Sequence, residues 1–162
     1  MGIEAYLFRI IPTKEVSVSK LTKLFNELKL KKLDEKFSSI YFEIVNKNSI
    51  IEFDIIINKN NHNKIEAIYS QFCVGNPVEA LNDFIKLLTK IDKKLSLKLR
   101  DTQLHKIIKF DNNDFDLVKE HFIKRKSDFE YLHGKIDVLI RCDDVWERVK
   151  NNPDSRVIRW EE

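Results

Sequence analysis

The sequence is poor in glycine, cysteine, proline and methionine. Its only glycines are Gly2, Gly75 and Gly134, which excludes a glycine-rich dinucleotide loop, a Walker A loop and a G-x-S-x-G nucleophile elbow. Its only cysteines, Cys73 and Cys142, are too far apart in the sequence to predict a disulfide framework or a metal site, so we expect two buried thiols. These absences favour a protein that is not an enzyme and that binds no cofactor.

Long apolar runs are also missing. No run approaches the roughly 18 to 20 residues that a membrane-spanning helix needs. The first residues have neither the basic nor the apolar region of a secretory signal, and Tyr6 stands where a myristoylation site needs Ser or Thr. We therefore expect a cytoplasmic protein without a membrane partner. With 162 residues, of which 43% are hydrophobic, the chain is large enough for a core without disulfide or metal staples.

Charge is nearly balanced, with a net value of +3, but it is unevenly distributed. Lysines dominate the basic residues of the first two thirds, whereas acidic residues outnumber basic ones after residue 110. Most arginines lie in this last part of the chain. Because arginine pairs well with carboxylates through two parallel hydrogen bonds, these arginines are candidates for pinning the C-terminal segment onto acidic groups elsewhere.

Apolar periodicity predicts an α+β protein with an antiparallel sheet and two helices on one face. The order through residue 110 is strand, helix, three strands, helix, strand, which resembles a ferredoxin-like sandwich with one additional meander strand. We expect residues 1–110 to form this core unit and residues 111–162 to form a helical and strand extension packed on the same domain.

Local signals set the expected boundaries. The first helix should begin at Ser17 or Ser19 and carry Lys31 on its polar side. Asn76 should cap the second helix, with Pro77 at its first position. Strands are expected over residues 136–141 and, as an added edge strand, over residues 156–160.

A hairpin turn over residues 46–49 predicts a register that gathers carboxylates. It places Glu43 opposite Glu52 and Tyr41 opposite Asp54, all on the face opposite the hydrophobic core. Glu43 and Glu52 form a like-charge pair, which costs stability unless something neutralises it. Glu66 joins this acidic face if Ile57 pairs with Ile65 across the next turn, and Phe72 then shares the same face. The predicted partner-binding residues are Tyr41, Glu43, Glu52, Asp54, Glu66, Phe72 and Arg125.

Three interpretations of the acidic face remain open. Arginines of the C-terminal segment lie over the face and balance its charge. Alternatively, the face is partly open and docks a basic protein, with Tyr41 and Phe72 as apolar anchors. In the third interpretation, Glu43, Glu52 and Asp54 bind a divalent cation and activate water, as in a metal-dependent hydrolase. No histidine spacing or carboxylate motif supports this third interpretation.

Arg125 is a separate candidate. If the helix that contains Phe122 and Phe129 is unbroken, Arg125 lies within its apolar arc and needs a carboxylate or an anion as its partner. A break near Ser127 instead exposes Arg125 to solvent. Both alternatives stay open.

Nucleic-acid binding is the remaining alternative, through Lys20, Lys23, Lys31 and Lys32 of the first helix. A pI of about 8.7 and phenylalanines at core positions argue against it, so we expect no nucleic-acid partner. The leading hypothesis is a small protein-interaction module that occludes a basic protein, and a toxin-neutralising immunity protein is one version of it.

Overall fold

A seven-stranded antiparallel sheet lies at the centre of the fold in the computed structural model, which describes residues 2–156. The sheet confirms the predicted α+β class, and its strand order is β2-β3-β4-β5-β1-β6-β7. The strands are β1 (Ala5–Pro12), β2 (Lys31–Lys36), β3 (Ser39–Val45), β4 (Ile50–Ile57), β5 (Ile65–Cys73), β6 (Leu97–Asp101) and β7 (Lys106–Ile108). The helices are α1 (Val18–Glu27), α2 (Ala80–Leu95), α3 (Asn112–His133) and α4 (Val145–Lys150).

One face of the sheet, here called the inner face, carries the aromatic core. Phe8 lies opposite Ser70, Ser70 opposite Phe53, and Phe53 opposite Phe42. All four are buried. Successive residues of a strand point to opposite faces, so this row fixes which residues of each strand face the core. Each buried phenylalanine contributes about 1.5–3 kcal/mol of hydrophobic stabilisation.

Helices α1 and α2 insert aromatic rings against this row. The Phe25 ring of α1 lies 5.1 Å from the ring of Phe42 and 4.9 Å from that of Phe53. The Phe84 ring of α2 stacks on Phe8 with the ring centres 4.4 Å apart. Offset or edge contacts of this kind add about 0.5–1.5 kcal/mol to the burial of each ring.

Strand β2 follows α1 directly, so the expectation that the helix carries Lys31 is wrong. The helix ends at Glu27, and Lys29 takes a left-handed conformation with φ of 68°. Every residue of β2 is exposed. It is an edge strand of mostly charged side chains, a composition that discourages pairing with the edge of another sheet.

A β-bulge changes the register between β4 and β5. Ile57 pairs with Ile65, but the register then shifts by one residue, which leaves Glu66 as the extra residue of β5. A slip of one residue moves every later side chain to the other face of the strand. Phe72 therefore lies on the inner face with no solvent exposure, and the prediction that it shares the acidic face is wrong.

Helix α3 runs without a break and packs against the core. Its Phe122 ring lies 5.2 Å from Phe72 and 5.6 Å from Tyr6. The Tyr6 hydroxyl donates a 2.6 Å hydrogen bond to the buried Asp101 carboxylate and lies 3.2 Å from Nδ1 of His121. This polar contact joins β1, β6 and α3 inside an otherwise apolar region.

Residues 136–141 contain no strand, contrary to the prediction, and side-chain hydrogen bonds hold them instead. Asn76 donates from Nδ2 to the Ile140 carbonyl and accepts at Oδ1 from the Ile140 amide, both at 3.1 Å. Because its side chain is used in this way, Asn76 does not cap α2, which begins at Ala80. Residues 157–160 of the predicted edge strand lie outside the described residues.

Candidate functional site

The outer face of β3, β4 and β5 brings the predicted acidic residues together. The ladder places Glu43 opposite Glu52 and Tyr41 opposite Asp54, which confirms the register predicted from the hairpin. Strand β5 adds two neighbours, because Gln71 lies opposite Glu52 and Tyr69 opposite Asp54. These six residues form the outer face: Tyr41, Glu43, Glu52, Asp54, Tyr69 and Gln71.

Arg141 neutralises one end of the outer face. Its Nε and Nη2 atoms donate to the two carboxylate oxygens of Glu43 at 2.7 and 2.6 Å, and the Glu43 side chain is only 5% exposed. The hydrogen bond to Glu43 raises the pKa of Arg141 above its ordinary value. The expectation that a C-terminal arginine covers part of the face is thus confirmed for Arg141, which also resolves the predicted conflict between Glu43 and Glu52.

Glu52 meets the C-terminal segment next to this ion pair. Its Oε2 accepts a 3.3 Å hydrogen bond from the Cys142 amide. Burial raises the pKa of Glu52, although the contacts with Cys142 act in the opposite direction. The Glu52 carboxyl is therefore partly desolvated, and no cation of residues 2–156 is bonded to it.

A pocket of about 480 Å³ opens beside Glu52. Residues of the N-terminal segment and of the 3-10 turn that precedes α4 form part of its wall. The pocket thus combines aromatic surface with several carboxylates. The residues that line it include Glu4, Leu7, Tyr41, Glu52, Asp54, Tyr69, Gln71, Cys142 and Asp143.

Two carboxylate oxygens in this pocket lack partners. Oδ1 of Asp54 and Oε2 of Glu4 are shielded from solvent, and neither accepts a hydrogen bond from the described part of the chain. Burial raises the pKa of Asp54, with nearby Lys36 as the opposing influence. Leaving a buried acceptor unpaired costs about 1–3 kcal/mol, and more for a charged group. A cation bound in the pocket beside these two carboxyls would offset part of that cost through its charge.

Lys36 is a cation that already lies next to Tyr41 of the outer face. Its ammonium lies 5.6 Å from the centre of the Tyr41 ring, within the range of a cation–π contact. Its side chain is 67% exposed, and its ion pair with Asp34 is long at 3.9 Å. Lys36 therefore partly screens Asp54 without filling the pocket.

The acidic character of this side of the sheet ends at β5. Tyr69, the neighbour of Asp54, lies opposite Arg9 of β1, and Arg9 in turn lies opposite Arg100 of β6. The surface consequently changes from acidic to basic within two strands. Such a step in charge favours one orientation of a bound polar partner over the reverse orientation.

The other predicted binding residues lie elsewhere. Glu66 accepts a hydrogen bond from Asn58 within the bulge. Arg125 is half-buried on α3, where its Nη2 lies 3.4 Å from the Gly2 carbonyl and its buried Nε has no partner among the described residues. Neither Glu66 nor Arg125 lines the pocket. With Phe72 in the core, four of the seven predicted residues remain on the outer face.

Lys126 is the buried cation of α3. It is 5% exposed, and its ammonium donates to the carbonyls of Val74, Asn76 and Ile136 at 2.9–3.0 Å. It also forms a 2.8 Å ion pair with Glu130. Lys126 therefore joins α3 to the turn after β5 and to the segment that carries Arg141, a structural role that the sequence assigned to no residue.

No feature of the described residues favours metal or nucleic-acid chemistry. Across residues 2–156, no three or more His, Cys, Asp or Glu side chains are arranged to hold a metal ion. Glu43, one of the three proposed ligands, is already paired with Arg141. The proposed lysine cluster is divided between α1 and β2.

Sequence reasoning missed the residues that close the pocket. Tyr69 and Gln71 were assigned to the wrong face because the bulge was not foreseen. Glu4, Cys142 and Asp143 come from segments that reach the site only through tertiary packing. If one extra residue is allowed after Ile65, the alternation of inward and outward side chains along β5 places Tyr69 and Gln71 on the outer face.

No helix within residues 2–156 has the length and apolar character needed to span a membrane. No protein-family model, no curated protein and no solved structure matches the chain.

Proposed function

We propose that this chain is a protein-interaction module whose outer-face pocket binds a basic segment of a partner protein. The observation that carries the proposal is the pair of solvent-shielded, unpartnered carboxylate oxygens on Asp54 and Glu4. Glu52 adds a third carboxyl to which no cation of the described residues is bonded, and burial raises the pKa of both Glu52 and Asp54. These groups are costly to keep charged in the free protein, so a bound cation stabilises them.

The size and lining of the pocket suit a lysine or arginine side chain. A volume of about 480 Å³ accommodates one or two side chains rather than a folded element. Tyr41 and Tyr69 supply ring surface for the aliphatic stem or the guanidinium plane, while Asp54 and Glu52 accept hydrogen bonds from its donors. Arginine fits best, because its planar donors can reach two carboxylates at once.

Occlusion of a basic partner is the biological version that we favour. The partner would lay a basic surface over the outer face, insert one side chain into the pocket and lose access to its own ligand. An immunity-type protein that neutralises a basic toxin acts in this way, and cytoplasmic residence would suit that role.

We further propose that the core follows a ferredoxin-like plan with added edge strands. In that plan β1, α1, β4, β5, α2 and β6 form the sandwich, with both helices on the inner face. Support comes from the strand order β4-β5-β1-β6 and from the ring contacts of Phe25 and Phe84. Strands β2, β3 and β7 would then be extensions of that unit.

An NMR titration with a short oligo-arginine peptide tests the proposed function directly. We expect amide shifts to concentrate at Tyr41, Glu52, Asp54 and Tyr69. Asp54→Lys should abolish them, because it adds a cation where the ligand's cation would bind. Asp116→Lys is the matched control, since Asp116 is exposed on α3 outside the pocket lining and the change in charge is identical.

The same two variants make capture from the source lysate informative. A protein retained at high salt by the wild type and by Asp116→Lys, but lost by Asp54→Lys, would support the proposal. Equal retention by Asp54→Lys in a folded state would refute the use of this pocket. Recovery of nucleic acid that is released at high salt would instead favour nucleic-acid binding through Lys20, Lys23, Lys31 and Lys32.

A further inference from the structure

The basic side of the sheet begins where the pocket ends. Leu7 of β1 lines the pocket, and Arg9 is the next residue of that strand on the same face. Tyr69 lies opposite Arg9 on one side and opposite Asp54 on the other. Arg100 of β6, opposite Arg9, extends the row by one more strand. This row across β4, β5, β1 and β6, the charge row, therefore consists of Asp54, Tyr69, Arg9 and Arg100.

Neither arginine of the charge row has a bonded partner within residues 2–156. Arg9 is half-buried and Arg100 is exposed, and neither forms a hydrogen bond or an ion pair with another described residue. They lie directly opposite each other in an antiparallel ladder, where Cα atoms are only about 4.5–5.5 Å apart. Exposed Lys98, two residues before Arg100, adds a third positive charge to the same face of β6. Like charges placed opposite each other are unfavourable, so an anion bound between the two guanidiniums would stabilise the sheet.

Two carboxylates near Arg9 leave its donors available. Glu15 and Glu66 line the same groove as Arg9, but neither forms an ion pair with its guanidinium. Glu66 instead accepts a hydrogen bond from Asn58. The two carboxylates therefore weaken the local positive potential without occupying the guanidinium, which keeps its planar donors for a bound carboxylate.

We propose that the partner segment carries both charges: a cation that binds beside Asp54 and, four residues away in an extended conformation, a carboxylate that binds between Arg9 and Arg100. This inference rests on the proposed function, because the cation site is the outer-face pocket. Charge complementarity is its basis, since a segment with cations alone would place positive charge over two arginines that already repel each other.

The geometry of the sheet sets the spacing of the two charges. Neighbouring strands are about 4.8 Å apart, so Arg9 and Arg100 lie about 10 and 14 Å from Asp54 across the sheet. In an extended segment, the rise of about 3.3 Å per residue puts the fourth residue beyond the cation about 13 Å away, on the same face of the segment. That position lies between the two arginines. A carboxylate directly next to the cation would instead lie over the acidic end of the row.

NMR titration of the wild-type protein with two capped five-residue peptides tests the inference. Both peptides begin with arginine and three serines, and they end in glutamate or in glutamine. We expect the glutamate peptide to bind about three- to tenfold more tightly and to extend the amide shifts from Asp54 to Arg9 and Arg100. The reversed sequences are titrated too, because a segment can cross the sheet in either direction, and the gain should appear in at least one direction. A peptide with glutamate directly after arginine should show no gain.

A double variant assigns the carboxylate site. Arg9→Gln combined with Arg100→Gln should remove the gain, whereas an oligo-arginine peptide should still bind at the pocket. Because neither side chain has a bonded partner in the described fold, the variant should keep the wild-type pattern of amide signals elsewhere. Lys124→Gln combined with Arg148→Gln is the matched control. It removes the same charge from exposed positions of α3 and α4, and the gain should persist.

The inference and the proposed function fail in different ways. If oligo-arginine shifts the pocket amides but glutamate brings no gain in either direction, the partner with both charges is refuted and the pocket remains a cation site. A gain that persists in the double arginine variant also refutes the inference, because the carboxylate then binds elsewhere. If no peptide shifts the pocket amides, the inference and the proposed function are both refuted. The wild-type comparison of the two peptides decides even if the double variant does not fold.

Discussion

The substitution Arg141→Met isolates what the C-terminal segment contributes to the outer face. Methionine keeps much of the aliphatic stem but removes both donors to Glu43. Glu43 would then be a carboxylate at 5% side-chain exposure, opposite Glu52 in the ladder and without a cation. Both the loss of the hydrogen bonds and the like-charge repulsion favour unfolding.

The magnitude follows from the exposure of the two partners. Breaking a fully buried pair costs about 3–5 kcal/mol. Arg141 is 42% exposed, so water screens part of the interaction and we expect a loss of about 2–3 kcal/mol. With a urea m-value of about 2 kcal/mol/M, the unfolding midpoint should fall by about 1–1.5 M.

Urea unfolding followed by circular dichroism measures this loss, and two further variants control it. Arg148→Met removes an exposed arginine from α4 and should change stability by less than about 0.5 kcal/mol. Adding Glu43→Gln to Arg141→Met should restore part of the loss, because it removes the orphaned charge. A loss below about 1 kcal/mol, or no recovery in the double variant, would refute the account of Glu43 as a desolvated carboxylate.

Three further predictions test the interior. Lys126→Met should cost about 3–5 kcal/mol in urea unfolding because it leaves three carbonyls and a carboxylate unpaired, whereas the exposed neighbour Lys124→Met should cost almost nothing. Burial lowers the pKa of His133 below its ordinary 6.5, so the unfolded chain binds a proton at a higher pH than the folded protein does. The free energy of unfolding should therefore fall as pH decreases below about 6.5, and this pH dependence should be absent in His133→Leu. Tyr6→Phe should cost about 1–3 kcal/mol in the same assay, since Asp101 loses its buried hydroxyl donor but keeps its backbone donors.

The hairpin could be predicted because its information is local. Alternating side chains in β3 and β4 specify which residues face the core, and the polar residues 46–49 specify the turn. The observed bond from the Asn46 amide to the Ser49 carbonyl, 2.7 Å long, closes the strands in the predicted register. Local alternation alone therefore predicts the observed positions of Tyr41, Glu43, Glu52 and Asp54.

Prediction failed where a shift of one residue changes which side of a strand or helix a side chain faces. The bulge at Glu66 transferred Phe72 from the outer face to the core. On α3 the buried arc is rotated by about one residue, so Lys126 rather than Arg125 faces inward. Periodicity cannot distinguish adjacent positions near the edge of an apolar arc, because the packing partner decides the rotation of the helix.

Long-range contacts were beyond local patterns altogether. The turn after β5 and residues 136–142 are far apart in the sequence, yet backbone and side-chain hydrogen bonds join them. Nothing in the local composition of either segment indicates that they meet. The pocket shares this origin, since Glu4 and Asp143 close it from the two ends of the described chain.

The structural and the functional interpretations of the acidic face apply to different parts of it. At the end formed by Glu43, Arg141 supplies the missing cation and the charges serve the fold. At Asp54 no cation among residues 2–156 is bonded, and the carboxyl is partly desolvated beside two tyrosines. Reversing the charge of Glu43 would therefore displace Arg141 and weaken the fold, so any lost binding would be ambiguous. Asp54 is the position at which a charge reversal reports on the partner, because no ion pair of the described fold depends on it.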